Sequence, residues 1–350
     1  MTRVLRILIL TISVLVESPL QASNTLEPRA QSFASIEERA LAGIKLSLND
    51  RFRSADSVFS RISEENVSSP IGSLFAAGNA QAEMLDSESL LRRADFERYV
   101  NEAESRVHRA DTASLNRAES EFVLGVAAGY RAVYESKWGG WLAALKQGLR
   151  AKKHFQKALE LDSTLCDARL GLGTYYYWKS AKTDWINWLP IVSDERPRGL
   201  EFLRRAIDCG VFARETARTA LANALINEGD YGAAIAHADT LAMLFPNAKG
   251  PIWLKAKAHY ALYEWDSAVQ QFDLLESRIR TDGTGNYYNL IECAYHRAQC
   301  HWGSGRYREA LSECGKALTY PADEETKNRQ RDRLNELRKM QRKLVQMLQK

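Results

Sequence analysis

The chain has 350 residues and carries 48 Lys or Arg against 44 Asp or Glu, for a formal net charge of +4. Apolar residues make up 45% of it and charged residues 26%, which excludes a disordered chain, a collagen-like chain and a membrane protein with many spans. Only 8 Pro and 20 Gly are present, a content that favours long helices over a turn-rich β fold.

The N-terminus, residues 1–22, has the pattern of a secretory signal peptide. Arg3 and Arg6 supply a positive start, Ile7 to Val16 is an apolar run, and Ala22 is the small residue at the expected cleavage site. The run has about half of the ~20 residues that a bilayer-spanning helix needs. We therefore expect a periplasmic or secreted protein with no transmembrane segment after cleavage. A short uncleaved anchor is the alternative.

Residues 23–135 and 136–320 both show helical patterning, and the second range carries the clearer repeat. There, an apolar helix over Leu221 to Leu225 is followed by a turn at Gly229 and by a second helix that ends at Pro246. A shift by about 34 residues superposes equivalent positions of successive units: Ala222 on Ala256, Ala234 on Ala268 and Leu241 on Leu275. The copies in the first range are fewer and more degenerate.

This pattern resembles the tetratricopeptide repeat, a helix–turn–helix unit of about 34 residues. Small residues fall where two helices approach closely, in two series: Gly43, Gly173, Ala222, Ala256 and Ala298, and Ala55, Ala151, Gly199, Ala234, Ala268 and Ala310. Each pair leaves an apolar face that only the next pair can cover. We therefore expect an all-α fold, an α-solenoid of antiparallel helix pairs. The chain departs from the family where an aromatic residue is common, at Arg39, Arg169 and Arg218.

An aromatic insertion interrupts one repeat at residues 178–196. Five of the eight tryptophans fall between residues 138 and 188: Trp138, Trp141, Trp178, Trp185 and Trp188. The insertion is interpreted as a lid on the solenoid or a filler of a degenerate unit. An exposed patch that contacts a partner, a lipid or a glycan is the alternative, since contiguous exposed apolar surface marks contact sites. Secreted bacterial proteins of the resembled family are similar in carrying an aromatic insertion at this place.

The five cysteines are too few for a fold built on disulfides. Four side chains on two adjacent predicted helices have the types that bind zinc: Cys293, His296, Cys300 and Cys314. Tight helix packing by small apolar thiols is the preferred interpretation, with zinc or a Cys300–Cys314 disulfide as alternatives. Cys166 and Cys209 lie at neighbouring ends of one predicted hairpin, so a disulfide fits there, and two free thiols are the alternative.

The C-terminal residues 321–350 are basic and predict a capping helix for the solenoid. One apolar stripe is expected to pack on the last repeat: Leu334, Leu337, Met340, Leu344 and Met347. A basic helix that binds an anionic membrane or an acidic partner is the alternative.

A concave groove is the main candidate site. In the family that the chain resembles, the first helices of the pairs line the inner face, which implies a polar and aromatic groove: Tyr177, Trp178, Asn223, Asn227, Trp253, Lys257, Tyr260, Tyr295, Gln299 and Trp302. Asn amides can hydrogen-bond an extended peptide backbone, and aromatic rings supply flat anchors. Packing of some of these rings in the core between repeats is the alternative.

The sequence contains no motif for catalysis, dinucleotide binding or phosphate binding. We therefore expect no enzymatic activity, no cofactor, no metal and no nucleic acid partner. The expected function is a scaffold or adaptor that binds a protein or peptide segment in its groove and supports assembly at the cell envelope. The alternatives are an enzyme or a carbohydrate- or lipid-binding protein, with a site built by the insertion from Trp185, Trp188, Asp184 or Asp194, and a purely structural spacer.

Overall fold

The computed structural model describes residues 31–110, 115–183, 193–283 and 285–349, with side chains from Ile36 onward. These ranges contain sixteen helices and no strand, which confirms the expected all-α class for the described chain. Among those helices, none is both long enough and apolar enough to cross a bilayer.

Fourteen of the helices form seven antiparallel pairs in chain order. The first helices of the pairs are α1 (Gln31–Leu48), α3 (Ile71–Ser87), α5 (Arg117–Trp138), α7 (Ala168–Lys182), α9 (Arg214–Glu228), α11 (Lys249–Ala261) and α13 (Tyr287–Gly303). The second helices are α2 (Phe52–Glu65), α4 (Arg93–Arg109), α6 (Trp141–Leu161), α8 (Arg196–Cys209), α10 (Tyr231–Leu244), α12 (Trp265–Thr281) and α14 (Tyr307–Leu318). Each helix packs on the next, which confirms the predicted α-solenoid.

The turn between α9 and α10 shows how local sequence sets the repeat. Gly229 ends α9 with φ of 81°, a left-handed conformation that favours glycine. The side chain of Asp230 then accepts a hydrogen bond from the N–H of Ala233 and starts α10. Two adjacent residues thus end one helix and begin its partner, as the sequence predicted.

The predicted small residues do permit close helix packing. A Cβ added to Gly199 of α8 would lie 2.6 Å from the backbone nitrogen of Tyr177 and 2.9 Å from the carbonyl oxygen of Gly173, both in α7. Those atoms belong to helix backbones and cannot yield without moving a helix. The two glycines therefore let α7 and α8 cross at backbone contact distance.

The burial of helix α3 explains why the sequence shows the first repeats less clearly. It is buried on almost every side, including Ser73, Asn79 and Gln81, because α1, α2, α4 and α5 all pack around it. A helix that is buried all round has no polar stripe, so its 3.6-residue periodicity is weak. The second weak stretch holds two long helices, α5 and α6, that are separated by Gly139 and Gly140.

The C-terminal segment differs from the single expected capping helix. It forms two helices, α15 (Glu324–Arg329) and α16 (Arg331–Leu348), which meet at the buried Gln330. The amide of Gln330 donates to the carbonyl oxygen of Tyr288, and this bond fixes the bend against α13. Leu334, Leu337 and Leu344 are buried against the last pair, as the predicted stripe requires, and Met340 is half-buried there. Met347 is exposed.

The solenoid makes one full turn, and its first helix pair contacts its sixth. The turn after α1 contacts the start of α11, where the N–H of Asn247 donates to Asn49 over 2.9 Å and that of Lys249 donates to the carboxylate of Asp50 over 2.8 Å. Leu48 packs on the apolar cluster of the fifth pair. The first pairs therefore rest on the edges of the last pairs, and the turn is closed by these contacts.

Candidate functional site

The first helices line the inside of this turn. Successive first helices contact each other directly from α1 to α11, whereas no comparable contact joins successive second helices in the described ranges. In a curved stack of helix pairs, the layer whose members lie closer together is the concave one. Since α16 also packs beside α13, it extends the inner layer by one helix.

At the middle of the wall, Tyr177 and Asn227 lie together, but Tyr177 is fully buried. Its hydroxyl can donate its one proton to the carbonyl oxygen of Ala224 at 2.9 Å or to the carboxylate of Glu228 at 2.8 Å, and it accepts from the amide of the exposed Asn227 at 2.8 Å. The ring thus belongs to the packing between α7 and α9. Trp178 is half-buried and stands edge-on to the ring of Tyr177.

Asn223 is half-buried one turn before Asn227 on α9. Its amide nitrogen donates to the carbonyl oxygen of Thr219 in the same helix, at 3.0 Å. The side-chain oxygen has no donor among the hydrogen bonds of the described chain. Asn223 can therefore accept a further hydrogen bond, and the exposed Asn227 can exchange its bond to Tyr177 for one to a ligand.

Further along the wall, a network of polar side chains joins α11, α13 and α16. The hydroxyl of Tyr260 donates to Gln299 over 2.6 Å, the amide of Gln299 donates to the hydroxyl of Tyr295 over 2.6 Å, and that hydroxyl donates to Glu336. Burial raises the pKa of Tyr295 to about 12, so the hydroxyl stays protonated. Three of the predicted groove residues, Tyr260, Gln299 and Tyr295, are therefore hydrogen-bonded to one another and to the C-terminal helix.

Trp302 lies at the end of this network. Its half-buried ring stands edge-on to Tyr307, and the ammonium of Lys343 in α16 is 5.0 Å from the ring centre. The C-terminal helix thus covers part of Trp302 as well, so this end of the wall is largely occupied by contacts within the chain.

Trp253 and Lys257 form the part of the wall that is most available to a ligand. The ring of Trp253 packs edge-on against Phe272, and the ammonium of Lys257 lies 5.7 Å from the ring centre. Lys257 is exposed to solvent. Desolvation by the surrounding protein nevertheless lowers its pKa, and among the charges that act on it are Glu292 in α13, Lys137 in α5 and Glu88 after α3. Charges from distant repeats converge on Lys257 because the turn of the solenoid is closed.

No ion pair with a carboxylate is formed by Lys257 in the described chain. The nearby Glu292 is engaged by other side chains: Nε2 of His296 lies 3.4 Å from its carboxylate and Nε of Arg333 lies 3.5 Å from it. Glu88 is bound by Lys137 at 2.7 Å and by Arg329 at 2.5 Å. Lys257 is therefore a cation that lies beside an aromatic ring and has no counter-ion within the described ranges.

A second cluster on the wall was not predicted from the sequence. The ring of Tyr288 lies between two cations, with Arg329 at 4.4 Å and Lys137 at 5.8 Å from its centre. Both cations also bind Glu88, so α3, α5, α13 and α15 meet here. No local pattern could have revealed this cluster, because its members come together only through closure of the turn.

The insertion stays a prediction. Asp184, Trp185 and Trp188 lie outside the described residues. Asp194 is described, and its carboxylate is bound on both oxygens by Arg196, which holds its pKa below the ordinary value.

The structure contains a disulfide between Cys166 and Cys209, with their Cα atoms 5.7 Å apart. It joins the segment just before α7 to the end of α8, which is the place where the bond was expected to fit. The other cysteines, Cys293, Cys300 and Cys314, are buried and free, so the alternative Cys300–Cys314 bond is absent. Burial raises the pKa of Cys300 to about 12 and that of Cys314 to about 11, which disfavours metal-binding thiolates.

His296, the fourth residue of the zinc alternative, stacks on Phe272 and pairs with Glu292. Within the described ranges, no group of three or more metal-binding side chains is arranged to hold a metal ion. The described contacts of these cysteines therefore fit their role in helix packing.

No protein-family model matches the sequence, and neither does any curated protein. Among solved structures, the chain is similar to a Rap protein complexed with competence and sporulation factor, at 12% identity and a TM-score of 0.49, over 90% of this chain and 87% of that one. It is similar to the C-terminal part of a TPR repeat-containing protein from Cytophaga hutchinsonii, at 17% identity and a TM-score of 0.41, over 81% and 96%.

A third similar structure is yeast Tom70, at 13% identity and a TM-score of 0.39, over 95% of this chain and 70% of that one. At these identities and TM-scores the likeness is too distant to argue from. The chain's own seven helix pairs, with small residues at the helix crossings, show the architecture: this is a tetratricopeptide-like α-solenoid.

Proposed function

We propose that the protein is a scaffold or adaptor whose inner wall binds an extended protein or peptide segment, and that this segment carries an acidic group for Lys257. The observation that carries the proposal is the exposed side chain of Lys257, whose ammonium lies beside the ring of Trp253 without a carboxylate partner in the described chain. Desolvation already lowers the pKa of Lys257, and an incoming carboxylate would relieve that cost.

The neighbouring side chains suit a peptide backbone. Asn223 has a free acceptor, Asn227 is exposed, and Trp253 provides a ring against which a side chain can lie. The two Asn amides can hydrogen-bond the backbone of the bound segment, while the Trp253 ring and the Lys257 ammonium select its side chains. The segment therefore follows α9 and α11, whereas Tyr295, Gln299 and Trp302 shape the wall through their contacts with α16.

We further propose that the protein acts outside the cytoplasm, in the periplasm or after secretion. The signal-like residues 1–22 support this location, and so does the bond between Cys166 and Cys209, because disulfides persist in oxidising compartments. There the scaffold supports an assembly at the cell envelope.

Selection from a random peptide display library tests the proposed function, because such a library offers every side chain at every position of the bound segment. The parent chain is expected to enrich peptides with Asp or Glu at a fixed position, and Lys257→Glu is expected to enrich Lys or Arg at that position instead. Lys255→Glu, on the outward side of the same helix, is the matched control and should enrich the same peptides as the parent. Absence of enrichment, or an acidic preference that survives Lys257→Glu, would contradict the proposal.

A further inference from the structure

The N-terminal half of α6 has an unusual outer surface. This second helix has 21 residues, against 14 in α2, α8 and α10, and its first turns extend along the equally long α5. Three large apolar side chains on it are exposed: Trp141 by 52%, Leu142 by 76% and Leu149 by 48%. Because second helices form the convex layer, these exposed side chains lie on the side away from the inner wall.

The α6 stripe, formed by Leu142, Lys146, Leu149 and Lys153, is also basic. Lys146 lies between the two leucines and Lys153 lies one turn beyond Leu149. Both lysines are exposed, and neither forms an ion pair or hydrogen bond in the described chain. No Asp or Glu occurs from Trp141 to Leu159. The carboxylates that face α6 from neighbouring helices are engaged, since Glu104 binds Arg150 at 3.1 Å and Glu121 binds His154 at 2.6 Å.

The end of α7 lies beside the start of α6. Gly148 faces the ring of Tyr175, and Phe155, further along α6, faces Gly171, which comes earlier in α7. The two helices therefore run antiparallel, so the last turn of α7 adjoins the first turns of α6.

That end of α7 belongs to the inner layer, but it too has an aromatic ring and a cation. It carries the half-buried Trp178 and the exposed Lys182, whose ammonium is 5.9 Å from the Trp178 ring centre. A carboxylate also lies near this end, that of Glu135 against Gly139. The positive charge is therefore strongest further along α6, toward Lys153.

We propose that this stripe of α6 docks the protein on an anionic lipid surface, with the helix lying in the plane of the membrane interface. Trp and Leu side chains that alternate with lysines on one helix face fit the boundary between headgroups and acyl chains. The leucines enter the boundary while the lysines reach to the headgroup phosphates. Docking leaves the inner wall free, because the stripe lies on the second-helix layer, on the opposite side of the solenoid.

The C-terminal helix α16 is the competing basic element, and its apolar stripe is already used. Leu334, Leu337 and Leu344 are buried against the last pair, so its exposed apolar residues are confined to the last turn, at Val345, Met347 and Leu348. The α6 stripe is thus the basic surface whose large apolar side chains are unpartnered along two turns.

Co-sedimentation with vesicles tests the docking. The mature chain from Ser23 is used for every variant, because the apolar run Ile7–Val16 would bind lipid by itself. Binding is expected to vesicles that mix phosphatidylglycerol with phosphatidylcholine, to fall as salt is raised, and to be absent on pure phosphatidylcholine. Lys146→Gln with Lys153→Gln should lower the partition coefficient roughly 30-fold. Leu142→Gln with Leu149→Gln should lower it about tenfold or more.

Two control pairs replace exposed residues elsewhere and should bind as the parent does: Met243→Gln with Leu244→Gln on α10, and Lys339→Gln with Arg342→Gln on α16. Circular dichroism and the melting temperature check that each variant is folded. No binding to either vesicle, or binding that is lost in the α16 pair and kept in the α6 pairs, overturns the proposal. Loss with the lysine pair alone also overturns it, because it indicates electrostatic adsorption to the headgroups that does not insert the leucines.

Discussion

Lys249 donates its backbone N–H to the carboxylate of Asp50 over 2.8 Å, although 199 residues separate them in the chain. The carboxylate thereby caps the start of α11 from the first helix pair, where the helix dipole favours a negative charge. The ammonium of Lys249 is buried and lies 3.1 Å from Asp50, 3.1 Å from Asp86 and 2.5 Å from Asp282. One lysine thus joins three carboxylates, two of them from the opposite edge of the closed turn.

We expect Lys249→Gln to destabilise the closed turn strongly. Removal of the ammonium leaves three carboxylates close together and partly buried, which costs about 3 kcal/mol or more in the free energy of unfolding. Urea denaturation measures the loss, and small-angle scattering should show a larger radius of gyration as the turn opens.

Lys255→Gln is the matched control for that change. Lys255 lies on the same helix and pairs with the exposed Asp239 at 3.2 Å, so its loss should cost about 1 kcal/mol or less. Equal stabilities for the two variants, with no expansion in Lys249→Gln, would show that the turn does not depend on this contact.

The same cluster makes stability depend on pH. Burial, together with the charge of Asp50, raises the pKa of Asp86 to about 7. The folded state then holds a proton on Asp86 that the unfolded state releases above about pH 4, so this contribution to stability is present in acid and is lost as the pH rises from about 4 to about 7.

Asp86→Asn should therefore be more stable than the parent at pH 8, by about 1–3 kcal/mol, and should lose most of that advantage at pH 5. The difference between the two proteins is the quantity to measure, because His237 and His301, whose pKa values burial lowers, favour the folded state at higher pH and contribute equally to both. An advantage that is the same at both pH values would contradict the assignment.

Because α7 and α8 pack closely, a single methyl group added where they cross should destabilise the protein. Gly199→Ala places a Cβ against backbone atoms of α7, and the helices must separate, so we expect a loss of about 1–3 kcal/mol in the free energy of unfolding. Gly315→Ala in the interior of α14 meets no atom within 4 Å and should instead gain about 0.5–1 kcal/mol. Thermal denaturation compares the two; a harmless Gly199→Ala would show that the helices do not cross as described.

The disulfide between Cys166 and Cys209 determines how many thiols can react in the unfolded protein. Unfolding without reductant should expose three reactive thiols, and unfolding after reduction should expose five. The double change Cys166→Ser with Cys209→Ser should cost about 2–4 kcal/mol, because the bond closes a loop of 43 residues. Reductant should lower the melting temperature of the parent and leave that of the double variant unchanged. Five reactive thiols before reduction would exclude the bond.

Much of the fold could be predicted from local patterns, because helix pairing is set by residues close in sequence. Gly173 and Gly199 mark a helix crossing, Gly229 ends a helix, and the 34-residue spacing predicts the stacking. Closure of the turn could not be predicted, since Asp50 and Lys249 are ordinary charged residues until the superhelix brings them together. The inner wall was predicted only in outline: Tyr177 has the spacing of a groove residue, yet its ring is buried because α9 packs over it.

Isothermal titration calorimetry with an acidic peptide selected on the parent chain tests the central claim most directly. We expect Lys257→Gln to weaken binding about tenfold or more, while Lys255→Gln, two residues away on the outward side of α11, should leave the dissociation constant unchanged. Equal affinity of the parent and Lys257→Gln for that peptide would contradict the claim that the inner wall is the binding site.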